Sequence, residues 1–238
     1  MLSSVLDELG YKRINWFVAP SLIHSKYHWI KRLTRTTFKG YKCTVIGTDV
    51  LVNVRKSYLR RKIRKVRNGE YILGHTALEP WLKNELRING FQIINVVRDP
   101  IDVLYSNIHH LRTRNDHFLY KYICNWPQNK IADLYLDGGI VGEYKIRPMS
   151  LYYEAFLKSS NNTLLVDFAD IVNGTKQFEK LVSHININDK QIRKEDFWGK
   201  GNTFRTGKIG GGKSNLPREQ INKLRNGINY TYGSHDKF

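Results

Sequence analysis

Apolar residues gather along this chain in two kinds of pattern. Three short runs, "EYILG" (70–74), "FQIINVV" (91–97) and "NTLLVDF" (162–168), are β-rich, bounded by polar or turn residues, and predict strands. Between them the apolar positions take helical spacing. Leu59, Ile63 and Val66 line one side of residues 55–67, and a second helix is predicted near 78–88, closed by Gly90. A helix starting at Pro100 would set Leu104, Ile108 and Leu111 on a face able to pack on the sheet, and further helices follow to about residue 158. A first helix is predicted near 2–9, ended by Gly10, and a last one starts near Pro217; residues 228–238 read as a loose tail. Strands alternating with helices predict an α/β domain whose central parallel sheet is flanked by helical crossovers. Neither an internal repeat nor a low-complexity linker interrupts residues 1–238, so the expectation is a single domain.

Composition narrows the class. At 238 residues, with 41% hydrophobic and 25% charged, the chain can bury a continuous core. Asp7 and Glu8 interrupt the opening "MLSSVLDELGYKR" where a signal peptide needs an apolar run, and no stretch has the length of a membrane span, which predicts a cytoplasmic protein. Cys43 and Cys124 lie far apart without metal-ligand spacing and read as two reduced, partly buried thiols, with no metal expected. Sequons at Asn161, Asn173 and Asn229 are close to what so Asn-rich a chain shows by chance.

Charge changes the picture more. The formal net charge is +18, which implies a polyanionic partner, an anionic cofactor, or both. Its densest run, "RKSYLRRKIRKVR" (55–67), is an amphipathic helix with a basic outer face. Whether that face is only solvated or meets a polyanion is open on charge alone.

The octet "GKIGGGKS" (207–214) satisfies the phosphate-loop pattern letter for letter. That pattern has meaning only between a buried strand and a helix that starts at the Lys-Ser pair. Upstream, "RKEDFWGKGNTFRT" lacks a strand's alternation; downstream, Leu216-Pro217 places the next helix start beyond Ser214, after which only 24 residues remain. A Walker-type nucleotide site is therefore not expected here.

The chemistry concentrates in "QIINVVRDPIDVLYSNIHHL" (92–111). The β-rich run ends at Arg98, Asp99 is a good helix cap and Pro100 fits a first helical turn, so Arg98 stands where strand becomes helix. In open parallel sheets anionic ligands bind at that edge. Asp102, Ser106 and His109 share one helix face, which points the Ser106 hydroxyl along the polar side. A guanidinium fork beside a hydroxyl suits a phosphate. The residues alone equally allow Arg98 to pair with Asp99 or Asp102.

"RDPIDVLYS" resembles the segment of PAPS-dependent sulfotransferases (PAPS, phosphoadenosine phosphosulfate) that binds the ribose 3′-phosphate, commonly R-D-P-x-D-V-x-x-S. "FRTGKIGGGK" (204–213) resembles the same family's C-terminal loop, F-R-K-G-x-x-G-D-W-K, with Phe204, Arg205, Gly207, Gly210 and Lys213 in register. Thr206 stands for the usual Lys, and Gly211-Gly212 for Asp-Trp. "GHTALEP" (74–80) is similar to the segment T-H-L-P, whose His is the general base, and "FADI" (168–171) to Y-E-D-L, whose aromatic residue lies by the adenine. The resemblance thus implies a P-loop-hydrolase-like fold. It also implies a 3′-phosphate site of Arg98, Ser106, Arg205, Thr206 and Gly207, with Phe168 at the adenine and His75 as base. The implied donor is PAPS, leaving as adenosine 3′,5′-bisphosphate without a metal, and the acceptor a hydroxyl or amine, an acidic glycan suiting the charge.

The family's strand and P-K-S-G-T-T-W-like loop, which hold the 5′-phosphosulfate, have no counterpart ahead of "MLSSVLDELG", itself similar to the helix that follows them. The resulting expectation is a sheet lacking its first strand and no measurable transfer by the chain as given. A different class of function also fits the charge: a non-catalytic protein binding nucleic acid or sulfated glycan, for which Arg98 and Arg205 are two cations among many.

Overall fold

The computed structural model describes residues 6–7, 9–14, 43–46, 52–74, 79–117, 119–142, 144–159, 163–185 and 209–228. His75, Phe204, Arg205, Thr206, Gly207 and the stretch 193–206 ahead of the glycine octet lie outside them. In chain order the strands are β1 Lys12–Ile14, β2 Cys43–Ile46, β3 Val52–Arg55, β4 Glu70–Ile72, β5 Ile94–Val97, β6 Gly139–Val141, β7 Tyr144–Ile146 and β8 Leu164–Asp167. The helices are α1 Lys56–Ile63, α2 Pro80–Ile88, α3 Pro100–Thr113, α4 Tyr120–Ile123, α5 Gln128–Asp137, α6 Met149–Ser159, α7 Phe168–Asn173, α8 Lys176–Ile185, α9 Gly211–Asn215 and α10 Arg218–Gly227.

The fold is mixed α/β with parallel strands, as the alternation predicts. Among the described residues these strands hydrogen-bond as two separate two-stranded ladders, β1 with β4 and β5 with β8. Two antiparallel pairs, β2 with β3 and β6 with β7, join them. The β6–β7 hairpin corrects the reading of unbroken helices to residue 158. Gly138, at φ 77°, ends α5 in a conformation that L side chains avoid, and Val141, Tyr144 and Ile146 then turn inward from strands too short to show a clear alternation.

Local signals otherwise set the boundaries. Gly90 takes φ 75°, and the amides of Gly90 and Phe91 bond the carbonyls of Arg87 and Leu86 at 3.0 and 3.1 Å, closing α2 as the glycine predicts. Pro80, Pro100 and Pro217 stand at the starts of α2, α3 and α10.

Among the described residues, packing forms three buried clusters. Leu59 and Ile63 of α1 meet Leu82 and Leu86 of α2, with Ile72 of β4 at their margin; Val66, past the helix end, is half-buried. Val166 of β8 packs with Ile171, Phe178, Leu181 and Ile185. The largest cluster holds the apolar stripe of α3 (Ile101, Leu104, Ile108, Leu111) against α5, α6, α10 and the β6–β7 hairpin. It contains no residue of β5 or β8. The α3 stripe is thus amphipathic as predicted but, among the described residues, covered by helices and a hairpin rather than by the parallel strands. Hydrophobicity specifies that a face is buried, not what covers it.

Tyr71 of β4 donates its hydroxyl to Asp7 Oδ1 at 2.8 Å. Burial, then this bond to a carboxylate, push its pKa from 10.0 up to about 12. A folded pKa above the unfolded one stabilises the fold fully below pH 10.0 and loses that contribution as pH rises through about 12. The gap in melting temperature between the wild type and Tyr71→Phe is therefore expected to narrow from pH 9 to 12, and a constant gap would show that the hydroxyl does not titrate late.

Candidate functional site

Strand pairing builds the site. In the β5–β8 ladder Val97 stands opposite Asp167, so the chain emerges from two adjacent parallel strands at Arg98 and Phe168. Each strand then passes straight into a helix capped by an aspartate. Asp99 Oδ1 accepts from the Ile101 amide at 2.9 Å at the start of α3, and Asp167 Oδ1 accepts from the Ala169 amide at 2.8 Å at the start of α7. Such caps are worth about 1 kcal/mol each.

Arg98 and Phe168, far apart in sequence, come together: the guanidinium carbon lies 4.7 Å from the ring centroid. Cation–π contact of this kind holds a guanidinium in place without consuming an N–H donor. The Tyr153 hydroxyl, buried on α6, donates to the Arg98 carbonyl oxygen and pins the backbone at the same point. Ser106 follows on α3, half-buried, between buried Asp102 and exposed His109.

The two aspartates that could have paired with Arg98 reach the glycine octet. Asp102 is 2% exposed; its Oδ2 accepts from the Gly210 amide at 2.8 Å and its Oδ1 from the Gly212 amide at 2.7 Å. Lys213 Nζ stands 3.4 Å from Asp99 Oδ2. A helix does begin inside the octet, α9 at Gly211, contrary to the expectation that none starts before Pro217. The Walker reading gains nothing from it, because the amides of Gly210 and Gly212 donate to a carboxylate of the protein's own. Sequence reasoning missed both this grip and Tyr153; partners more than 50 residues apart leave no local pattern.

The basic helix supplies none of these contacts. Its inner edge meets carboxylates of the α2 segment: Arg60 and Arg64 with Glu85 at 3.0 and 3.6 Å, Lys56 with Glu79 at 3.9 Å. Lys56 and Arg60 also lie over the Trp81 ring. A shallow groove runs along Ser57, Arg60, Arg61, Arg64 and Lys65. Cys124 is a half-buried free thiol, and no described helix is long and apolar enough to cross a membrane.

No protein-family model matches the sequence, and neither does any curated protein. Among solved structures, the crystal structure of mouse sulfotransferase SULT7A1 complexed with PAP is similar to this chain with a TM-score of 0.51. The match covers 94% of this chain and 87% of that one at 14% identity. Such a likeness identifies the architecture: the chain has a sulfotransferase-like α/β fold.

Proposed function

We propose that the chain binds an adenine nucleotide bearing a 3′-phosphate at the carboxyl ends of β5 and β8, and that this site serves sulfuryl transfer from PAPS to a hydroxyl or amine acceptor. The observation that carries the reading is the juxtaposition of Arg98 with Phe168 by two hydrogen-bonded parallel strands, in a chain whose fold is similar to that of a sulfotransferase complexed with PAP. In this reading Arg98 and Ser106, with Arg205, Thr206 and Gly207, hold the phosphate oxygens, and Phe168 lies by the adenine. The planar guanidinium matches two oxygens at once.

Transfer forms a bond from sulfur to the acceptor and breaks the one to the donor phosphate, releasing adenosine 3′,5′-bisphosphate, so a base must take the acceptor's proton. His75, three residues beyond β4, is our candidate. A positioned imidazole contributes roughly 10²–10⁴-fold. The charge of +18 suits an acidic acceptor such as a sulfated or uronic glycan.

The test is a melt with and without ligand. Adenosine 3′,5′-bisphosphate at ~100 times its dissociation constant should add about 2.7 kcal/mol, or ~5–10 °C, while ATP and AMP at the same concentration add far less. Equal shifts for all three would remove the 3′-phosphate from the recognition and with it the nucleotide reading. Binding to nucleic acid or sulfated glycan that collapses between low and moderate salt, with no nucleotide shift, would favour the polyanion-binding alternative.

A further inference from the structure

We propose that Tyr153 is a positioning residue for Arg98: acting through the main chain, it aims the guanidinium at the 3′-phosphate by fixing the peptide that joins Arg98 to Asp99. The proposal rests on the nucleotide reading above.

The Arg98 carbonyl falls between two hydrogen-bond ladders. The register of β5 with β8 ends at Val97, and α3 opens with the Asp99 carbonyl, which accepts from the Val103 amide at 3.0 Å. A main-chain carbonyl at such a junction takes its partner from elsewhere in the fold. The Tyr153 hydroxyl donates to it across 55 positions of chain. Tyr153 is itself 6% exposed, and a hydroxyl so far out of water is tolerated where it is bonded.

The bond acts on the side chain through the backbone. A peptide unit is planar, so fixing the direction of the Arg98 carbonyl fixes ψ at Arg98, the rotation that turns its side chain relative to the start of α3. Phe168 takes the other end of the residue, its ring centroid 4.7 Å from the guanidinium carbon, without consuming an N–H donor. One stretch of chain supplies both holds: α6 carries Tyr153, β8 follows, and Phe168 begins α7. Tyr153 also belongs to the large cluster built on α3, which contains no residue of β5. Its hydroxyl therefore ties the root of Arg98 to that cluster, while the ring of Phe168 sets the tip. A planar fork that must meet two phosphate oxygens at once depends on both.

The full-length chain supplies the test. Tyr153→Phe keeps the ring and its packing and removes only the donor. Calorimetry is expected to show about 3- to 10-fold weaker binding of adenosine 3′,5′-bisphosphate, the worth of one hydrogen bond passed on to the ligand. For AMP, which has no 3′-phosphate, the change should stay below about twofold. In an Arg98→Ala background the same substitution should cost less than about twofold for either nucleotide, because Tyr153 acts through that side chain. Replacing Tyr153 by 4-aminophenylalanine, which keeps a donor at the tip of the ring, should restore affinity to within about twofold of the wild type. Leu157→Ala, one turn further along α6 and packed against the same cluster, is the structural control: it should lower the melting temperature and leave both affinities unchanged.

Unchanged affinity in Tyr153→Phe, an equal loss for both nucleotides, a loss reproduced by Leu157→Ala, or an undiminished loss in the Arg98→Ala background would each overturn the proposal while the nucleotide reading stands. A wild type that binds no adenine nucleotide would overturn that reading, and this role for Tyr153 with it.

Discussion

Arg98→Ala is expected to weaken adenosine 3′,5′-bisphosphate roughly 10- to 150-fold, the equivalent of ~1.5–3 kcal/mol for hydrogen bonds to a charged group. The fold should tolerate the change. Tyr153 holds the backbone carbonyl of residue 98, which alanine keeps, and the lost contact with Phe168 at a half-buried position is worth only about 0.5–1 kcal/mol. The control is a triple change of Arg61, Lys62 and Lys65 to Gln, which removes three charges from the basic helix and its end. At physiological salt it should alter nucleotide affinity by less than about twofold, since charges that make none of the site's contacts act on the ligand only through screening salt. If calorimetry found the triple variant as damaged as Arg98→Ala, binding would be a matter of diffuse charge, and the strand-end site would be lost.

Leu104→Ala should destabilise the protein by about 2–5 kcal/mol, roughly 4–20 °C in melting temperature for a chain of this size. Leu104 is fully buried, in a cluster with Leu111, Ile131, Tyr135, Leu216 and Leu224. Its loss removes the transfer free energy of three methyl(ene) groups and leaves a cavity in a region built from five helices and a hairpin, which cannot all close in at once. Nucleotide affinity should hold in the folded fraction, because Leu104 faces away from Asp102 and Ser106 on α3. A denaturant midpoint moved by less than about 1 kcal/mol would show that α3 is not anchored by this face.

The parts of the molecule legible in the sequence are those with local causes. The strand at 94–97, the Asp99 cap, Pro100 and the apolar stripe of α3 all lie within 20 residues, and they place Arg98 at a strand end without tertiary information. Gly90 likewise marks its helix end by backbone sterics. What escaped depends on distant partners. α9, made of Gly211-Gly212-Lys213-Ser214-Asn215, has poor intrinsic helix propensity and is held by Asp102, 108 residues away from Gly210. The β6–β7 strands are three residues each, below the length at which alternation distinguishes strand from helix. Phe168 was assigned to the site by the resemblance of "FADI", whereas its contact with Arg98 comes from the pairing register of β5 with β8.

That register makes the site a matter of counting. Ile94 to Val97 lie opposite Leu164 to Asp167, four residues against four, and Arg98 and Phe168 are the fifth of each. Insertion of a single residue into either strand would shift one partner along the ladder by ~3.3 Å and turn its side chain to the other face of the sheet. The cap of the following helix would move with it, Asp99 for α3 or Asp167 for α7. Point substitutions within these strands can be absorbed by repacking, but a change in their length cannot, and lineages or libraries that retain the Arg98–Phe168 pair should vary in the letters of 94–97 and 164–167 and never in their number.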